Sequence, residues 1–344
     1  MVTLKEIASM AGVSVATVSY VLNNTAQVSD ETRQKVEKII KETGYRSNIL
    51  AKSLRKNESC LIGVIVEDIT VWHTPYIIDG INEIAEATGY NTILSNLRLL
   101  SKIESQFEHI SNFQTDIDKA VDVLIGMQVD GIIYVGMHDR EIGHVIHNIK
   151  KPVVYCYCYT DGEGSSVRYS NEKAAYQMTQ MLIDNGHREF GVINGLKGSE
   201  PAGLRFKGFR RALQEAGIEL RPENIECGNW KYQDGKEAAK RLLGKKDYPR
   251  AIVTMNDDMA VGVYDAAREL GLNIPEDISV TGFDNSDIAR YLSPKIATVD
   301  RPLQEMGYRS MELLLNIINN SSVGDINITL PCTLIAGESV KKLV

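Results

Sequence analysis

The chain has 344 residues, of which 43% are apolar and 24% charged, an ordinary globular composition with enough apolar material for two or three domains. Its apolar runs, such as residues 61–66, fall far short of the roughly 20 residues that cross a bilayer. Lys5 and Glu6 stand where a secretion signal needs an apolar stretch, so we expect a cytoplasmic protein with no membrane partner. Five cysteines without a CxxC pair or a Cys/His cluster argue against a disulfide framework and a zinc site.

The net charge of −7 is unevenly distributed along the chain. Residues 1–58 contain nine Lys/Arg and six Asp/Glu, whereas the remainder carries an excess of ten acidic residues. A basic head on an acidic body suggests that only the head meets a polyanion such as DNA. A small positive excess also arises by chance, so the charge alone leaves both interpretations open.

The sequence pattern of the basic head, residues 1–58, predicts three short helices. The first begins at the Ser/Thr-x-x-Glu capping box of residues 3–6. The second covers about 15–22 behind the N-cap Ser14, and the third covers about 30–43 behind the N-cap Ser29. Two short helices joined by a tight turn, with a third behind them, form a helix-turn-helix unit; a generic three-helix bundle is the alternative.

The outer face of the second helix favours DNA binding over a generic bundle. It carries no Lys or Glu, and its side chains are small or hydroxylated. Hydroxyl groups bond bases or phosphates, and small apolar side chains contact thymine methyl groups in the major groove. The residues of this face are Val15, Ala16, Thr17, Ser19 and Tyr20.

The runs 2–19 and 28–48 resemble the DNA-binding headpiece of the lactose/galactose-repressor (LacI/GalR) family of transcriptional regulators, and the resemblance extends over essentially the whole chain. It implies that positions 15, 16 and 20 read bases. Tyr20 replaces the Arg that many members carry, which removes the usual contact of arginine with guanine. The DNA-contacting residues that we predict are Thr3, Ser14, Val15, Ala16, Thr17, Ser19, Tyr20, Asn23, Ser29, Asn48, Ala51 and Leu54.

Residues 49–55 are compatible with a helix that is too short to be stable alone. The resemblance implies a hinge helix that orders on operator DNA, where two copies pair. Leu54 would then wedge into the minor groove and kink the duplex, and Ala51 would let the two backbones approach. A plain linker is the alternative.

From residue 60 onward, strand-like and helical segments alternate, which predicts an α/β body of parallel sheets covered by helices on both faces. The pattern restarts near residue 165, so we expect two lobes, as in periplasmic binding proteins. The expected domains are a headpiece over 1–47, a hinge over 48–59 and a body over 60–344. The body's first lobe would contain about 60–163 and 293–323, and its second about 164–292 and 324–344. The expected strands are 61–66, 92–94, 131–135, 152–155, 189–193, 251–254 and 278–282. The helices between them that the pattern predicts most clearly are 77–88, 174–185, 204–216 and 259–270.

Ligands of such sheets bind beyond the carboxyl ends of the strands, so we expect an effector between the lobes. The resemblance places Arg205, Asn256 and Asp284 where relatives bond effector groups, and Trp230 where an aromatic ring packs on the effector. Their structural alternatives are a surface residue for Arg205, a strand-end cap for Asp284 and a core residue for Trp230. Aromatic and polar residues that follow other strands are weaker candidates: Trp72, His73, Thr74, Tyr157, Arg168 and Tyr169.

The chemistry of these side chains suits a small carbohydrate, since Asp and Arg bond vicinal hydroxyls and aromatic faces pack on sugar rings; a nucleoside would also stack. The chain has no P-loop, GxSxG or HExxH motif, so we expect a regulator that is not an enzyme and has no metal or cofactor. The expected partners are near-palindromic operator DNA, the effector and a second copy of the chain. Three alternatives to a sugar-responsive repressor stay open. The regulator could act as an activator, it could respond to a nucleoside or phosphoprotein corepressor, or the protein could bind sugar without a regulatory role. The segment 97–127 is longer than the family pattern.

Overall fold

The chain forms two compact units, Met1–Cys60 and Leu61–Val344, which we call the head and the body. Asn48, Ala51 and Leu54 lie outside the described residues, so the hinge helix stays a prediction. The computed structural model describes residues 2–23, 28–45, 59–103, 112–143, 145–147, 149–162, 164–320 and 324–343.

The head contains three helices, α1 (Leu4–Ala11), α2 (Val15–Asn23) and α3 (Asp30–Thr43), as predicted. The capping box is confirmed, since Thr3 donates its backbone N–H to Glu6 Oε2 over 2.7 Å and Glu6 donates its own to Thr3 Oγ1 over 3.3 Å. These bonds satisfy orphan backbone donors of the first turn.

The head has its own small core. Ile7 of α1, Val18 of α2 and Val36 of α3 are fully buried and belong to one apolar cluster. Burying each of these side chains contributes about 1.5–3 kcal/mol. One central residue from each helix therefore holds the three helices together.

The body alternates strands and helices, which confirms the predicted α/β class. Its strands and helices in chain order are β1 (Leu61–Val66), α4 (Thr74–Thr88), β2 (Asn91–Asn96), α5 (Leu100–Ile103), α6 (Gln114–Gly126), β3 (Gly131–Val135), β4 (Val153–Cys156), β5 (Ser165–Tyr169), α7 (Asn171–Asp184), β6 (Phe190–Asn194), α8 (Glu200–Glu215), β7 (Ile225–Cys227), α9 (Tyr232–Leu243), β8 (Ala251–Thr254), α10 (Asp257–Glu269), β9 (Ser279–Thr281), β10 (Thr298–Asp300), α11 (Leu303–Asn319), β11 (Asn327–Leu330) and β12 (Thr333–Ile335).

Two parallel sheets define two lobes. The first-lobe sheet has the strand order β11-β5-β4-β3-β1-β2, and the second-lobe sheet has the order β7-β6-β8-β9. A separate antiparallel pair, β10 with β12, lies in the segments that cross between the lobes. Apolar clusters cover both faces of the first sheet, and another surrounds the second.

The predicted lobe boundaries are wrong at two places. The sequence pattern predicts residues 164–169 and 324–330 in the second lobe, but β5 pairs with β4 (Val154 opposite Ser165) and β11 pairs with β5 (Ile328 opposite Val167). Both strands therefore extend the first sheet. Strand pairing partners are chosen across the fold, and a short polar strand such as β5 carries no local mark of its sheet.

Helices pack closely where glycine occurs at their crossings. A Cβ added at Gly307 of α11 would overlap the carbonyl oxygen of Ile77 in α4, and one added at Gly208 of α8 would overlap that of Glu172 in α7. Because each glycine lacks a side chain, the two helix backbones approach until they touch.

We predict that Gly307→Ala lowers the free energy of unfolding of the body by about 3 kcal/mol, since a well-packed site must open to accept a methyl group. Urea denaturation followed by circular dichroism measures this change. The control is Gly203→Ala in α8, where an added Cβ meets nothing within 4 Å; it should be neutral or stabilising by up to about 1 kcal/mol. Equal effects of the two substitutions would contradict the close packing.

Candidate functional site

The candidate site of the body lies where the carboxyl ends of strands from both lobes meet. Tyr157 follows β4 and Tyr169 ends β5 in the first lobe, while Trp230 follows β7 and Asp284 follows β9 in the second. The predicted placement between the lobes agrees with the general position of ligands in parallel sheets. A cavity of about 220 Å³ opens here, and Trp72, Asp284 and Arg301 are among its lining residues.

Arg205 is the best-connected side chain of this site. Its Nε donates to Asn171 Oδ1 over 2.8 Å, and its Nη2 donates to the Tyr169 hydroxyl over 2.9 Å. A further bond goes to the carbonyl oxygen of Met255. The guanidinium also stacks on Phe283 at 3.7 Å from the ring centroid. Arg205 therefore connects the two lobes as a buried residue, and the alternative that it is a surface residue is wrong.

Asp284 lies between two buried arginines. Its Oδ1 is 3.5 Å from Arg205 Nη1 and 3.2 Å from Arg301 Nε. Arg301 follows β10 and also donates from Nη1 to the Tyr157 hydroxyl over 2.7 Å. Arg301 is not among the residues predicted from the sequence, because no motif distinguishes it from a surface arginine at a strand end. We call Arg205, Asp284 and Arg301 the ionic cluster.

Aromatic rings surround the ionic cluster. Tyr157 stacks on Tyr169 with centroids 5.7 Å apart, and the His73 ring meets Tyr157 edge-on at 4.6 Å. Trp72 faces the Arg301 guanidinium at 4.7 Å. On the opposite side, Trp230 lies 5.4 Å from the guanidinium of Arg205. The structure thus brings together most of the aromatic residues singled out in the sequence.

Two predicted effector residues already use their polar atoms within the protein. Asn256 caps α10, because its Oδ1 accepts from Met259 N and its Nδ2 donates to the Trp230 carbonyl, both over 3.0 Å. Thr74 donates its hydroxyl to the Asp68 carbonyl over 3.0 Å at the start of α4. These bonds position the neighbouring loops, and effector contact by either residue stays a prediction.

Arg168 forms a second connection between the lobes. Its Nε donates to Asp139 Oδ1 over 2.6 Å and its Nη2 donates to Glu200 Oε1 over 2.9 Å. Glu200 begins α8 of the second lobe and also accepts from the Tyr159 hydroxyl over 3.1 Å. Arg168 is thus balanced by two carboxylates and ties the lobes at the edge of the site.

Strained backbone conformations gather at the ionic cluster. Tyr157, Trp230 and Asp284 have φ values of 61°, 66° and 122°. Each such conformation of a non-glycine residue costs about 1–3 kcal/mol, and such strain is concentrated at functional sites. Here it turns the side chains that follow three different strands toward one another.

The imidazole of His73 is neutral. Burial, followed by the positive charge of Arg301, holds its pKa well below the usual range. Its Nε2 is buried and makes no hydrogen bond with the described residues, and the same is true of Trp230 Nε1. A ligand between the lobes would therefore find polar atoms that have no protein partner.

The Asp257 carboxyl lies next to the ionic cluster and was missed in the sequence. Its Oδ1 accepts from the Thr298 hydroxyl over 2.7 Å, and its Oδ2 accepts from the backbone N–H of Ser286 over 2.8 Å. Burial and then repulsion by Asp284 raise the pKa of Asp257 to about 7, against the effect of these bonds.

The head presents the outer face of α2 to solvent. Ala16 and Tyr20 are exposed, whereas Thr17 and Ser19 are half-buried. Val15 is also half-buried and packs partly against the head's core. Asn23 is the last residue of α2.

The hydroxyls of Thr3, Ser14 and Ser29 lie at exposed helix starts. Ser14 accepts from Thr17 N over 3.1 Å, and Ser29 accepts from Thr32 N over 3.4 Å. All three cap helices, and helix starts are positions that suit phosphate contacts. Their contact with DNA stays a prediction.

Comparison with known proteins agrees with this geometry. The model of "Bacterial regulatory proteins, lacI family" matches residues 3–48, and that of a periplasmic binding protein-like domain matches 179–340. The transcriptional regulator RegA of Clostridium saccharobutylicum is 34% identical over 340 residues, which are 98% of each chain. The chain belongs to the lacI family of bacterial regulatory proteins.

Other members of the lacI family support the same architecture. Catabolite control protein A of Priestia megaterium is 33% identical over 99% of each chain. The solved lac repressor dimer, bound to operator and an anti-inducer, superposes with a TM-score of 0.81 at 26% identity and covers 99% of each chain. This lacI-family chain is a DNA-binding transcriptional regulator, as the sequence predicted, and its relatives are regulators and not enzymes.

The described residues contain neither a membrane-spanning helix nor a candidate metal site. Among them, no helix is both long and apolar enough to cross a membrane. Nor does the described part of the chain bring three His, Cys, Asp or Glu side chains together in a way that could hold a metal ion.

We predict that Asp257 makes the stability of the body fall as the pH rises from about 5 to 7. Between its unfolded value of 3.8 and its raised folded pKa, the folded state binds more protons than the unfolded state, so raising the pH favours unfolding. Relative to Asp257→Asn, the wild type should lose about 1 kcal/mol per pH unit in this range.

Urea denaturation at several pH values measures this difference. Asp122→Asn, at an exposed position of α6, is the control and should run parallel to the wild type. A constant difference between wild type and Asp257→Asn from pH 5 to 8 would contradict the prediction.

Proposed function

We propose that this regulator is a cytoplasmic repressor of carbohydrate-utilisation genes, which binds a near-palindromic operator as a homodimer and responds to a small sugar-like effector held between the lobes of the body. The ionic cluster carries the proposal, because two buried arginines that share a partly exposed carboxylate and are surrounded by aromatic rings are the chemistry of a polar, ring-shaped ligand. The name of one relative also points to a sugar: the ribose operon repressor of Haemophilus influenzae is 33% identical.

The effector site is built from both lobes. Arg205 of the second lobe bonds Tyr169 of the first, and Arg301 bonds Tyr157. A ligand that inserts among these groups changes the contacts that hold the lobes in their relative position. Effector binding is thereby coupled to operator binding, and the coupling is reciprocal: operator DNA changes effector affinity by the same factor.

The operator contacts come from the exposed face of α2. Tyr20 is 44% exposed although it is a large aromatic residue, and Ala16 lies one helical turn before it. Thr17 and Ser19 supply hydroxyls at the border of this face. A near-palindromic site follows from the two-fold symmetry of a homodimer, which presents two copies of the same helix.

We predict that Tyr20→Ala weakens operator binding by about 10- to 100-fold, the effect of losing one base-specific contact. The operator is first selected from random duplexes with the wild-type protein, and dissociation constants are then measured by fluorescence anisotropy at one fixed salt concentration. Met10→Ala is the matched control, because Met10 is also a large exposed apolar residue of the head, 56% exposed, but lies on α1. Equal operator affinities for the two variants would count against the assigned face.

We predict that Trp230→Ala raises the effector concentration needed for half-maximal operator response about 10-fold or more, because a stacking surface contributes about 1–3 kcal/mol. Operator affinity without effector should stay within two- to three-fold of wild type, since the substitution lies in the body. Operator titrations with increasing effector measure both quantities.

Trp230→Phe keeps an aromatic face and serves as the control for this experiment. It should retain most of the effector response. A normal response of Trp230→Ala, or loss of operator binding by this variant when it is correctly folded, would overturn the assignment.

A further inference from the structure

We propose that the effector is a sugar acid, a polyhydroxylated molecule with one carboxylate, and not a neutral sugar. This inference rests on the proposed function, since it concerns the charge of the ligand that the site between the lobes accepts.

The ionic cluster has an excess of one positive charge. The side chains of Arg205 and Arg301 are each 3% exposed, and Asp284 is 11% exposed. Among the described residues, Asp284 is the carboxylate within ion-pair distance of either guanidinium. A charge that is removed from water without a counter-charge is costly. An anionic ligand would supply the missing negative charge.

The buried Arg140 and the half-buried Arg168 of the body do not show this imbalance. Arg140 forms a 2.9 Å ion pair with Glu67, and Arg168 is shared between Asp139 and Glu200. Each of these guanidiniums thus has at least one carboxylate of its own, whereas Arg205 and Arg301 share one.

Nearby acids are engaged elsewhere. Asp257 accepts hydrogen bonds from Thr298 and Ser286. Asp300 accepts from Asn285 Nδ2 over 2.9 Å. Neither forms an ion pair with the cluster's arginines among the described residues, so neither replaces the missing counter-charge.

The unpartnered polar atoms are of two kinds. Trp230 Nε1 is a donor that is buried without a hydrogen bond to the described residues, whereas Arg301 Nε faces Asp284 Oδ1 at 3.2 Å. His73 Nε2 is buried without a hydrogen bond in the same way and is an acceptor. His73 Nε2 accepts because the imidazole is neutral and its bond to the Met137 backbone occupies the other nitrogen.

These two kinds of atom match the two ends of a sugar acid. A carboxylate has only acceptors and suits the excess positive charge of the two arginines and the Trp230 Nε1–H donor. Hydroxyl groups donate as well as accept and suit the His73 Nε2 acceptor. A simple carboxylate would leave His73 Nε2 without a donor, and a neutral sugar would leave the excess charge in place.

The size of the excess selects a carboxylate over a phosphate. A carboxylate with one negative charge neutralises the cluster. A phosphate monoester carries about −1.5 to −2 at neutral pH and would leave a negative surplus beside Asp284. Like charges at such distances repel strongly in a buried site.

The test uses the full-length protein and matched sets of probes: glucose, glucuronate, gluconate and glucose 6-phosphate, the corresponding galactose series, and cellobiose with cellobionate. Thermal shift identifies binders, and isothermal titration calorimetry gives dissociation constants at one ionic strength. We expect an acid to bind about 10- to 100-fold more tightly than its neutral counterpart, the range of a charge-assisted hydrogen bond in a buried site.

Arg301→Gln should reduce this preference for the acid to less than about three-fold, because the excess positive charge is removed. Arg309→Gln is the control, because Arg309 pairs with Glu305 and Glu312 on the exposed face of α11; it should keep the full preference. If Arg301→Gln does not fold, Arg301→Lys, which keeps the charge but loses Nε, should retain a reduced preference.

The outcomes separate the two proposals. If a neutral sugar binds as tightly as its acid or more tightly, the inference is wrong and the proposed sugar-responsive function stands. Tightest binding of a sugar phosphate also overturns the inference alone. If none of the probes binds while the protein still binds its selected operator, both the sugar acid and the carbohydrate effector are wrong.

Discussion

The burial of two guanidiniums around a single carboxylate is the interaction on which the body depends. Arg205 comes from a helix of the second lobe, Arg301 follows a strand of the crossing segments, and Asp284 lies between them within 3.5 Å of both. Removing one partner of such a buried group typically costs 3–5 kcal/mol, because the remaining charge loses its compensation. The aromatic rings and the strained backbone of this region hold these charges together.

This arrangement also joins the lobes. The same guanidiniums that surround Asp284 donate to Tyr169 and Tyr157 of the first lobe. The charge balance of the site and the relative position of the lobes therefore depend on the same contacts. A ligand changes that equilibrium only as far as it binds one lobe arrangement better than the other. A charged ligand shifts this equilibrium strongly, since it changes the electrostatic free energy of a poorly solvated cluster.

The head follows a different physical rule. Its helices begin at local caps and are held by one small core, and its outer face on α2 lacks the charges that normally keep a surface helix in water. A face of this kind is complementary to base edges and methyl groups in a groove. In the function that we propose, operator specificity comes from the outer face of α2 on a rigid scaffold, and the response to effector comes from buried charge in the body.

Features that depend on neighbours along the chain could be predicted from the amino-acid sequence. The caps at Thr3 and Ser29, the extent of α3 and the strands β1, β3 and β8 follow from local hydrogen bonding and apolar patterns, and family resemblance pointed to Arg205 and Asp284. The sheet to which β5 and β11 belong, and the place of Arg301 beside Asp284, became visible in the folded chain. Both are contacts between segments far apart in the sequence, and an arginine at a strand end has the same local pattern whether its partner is water or a buried carboxylate.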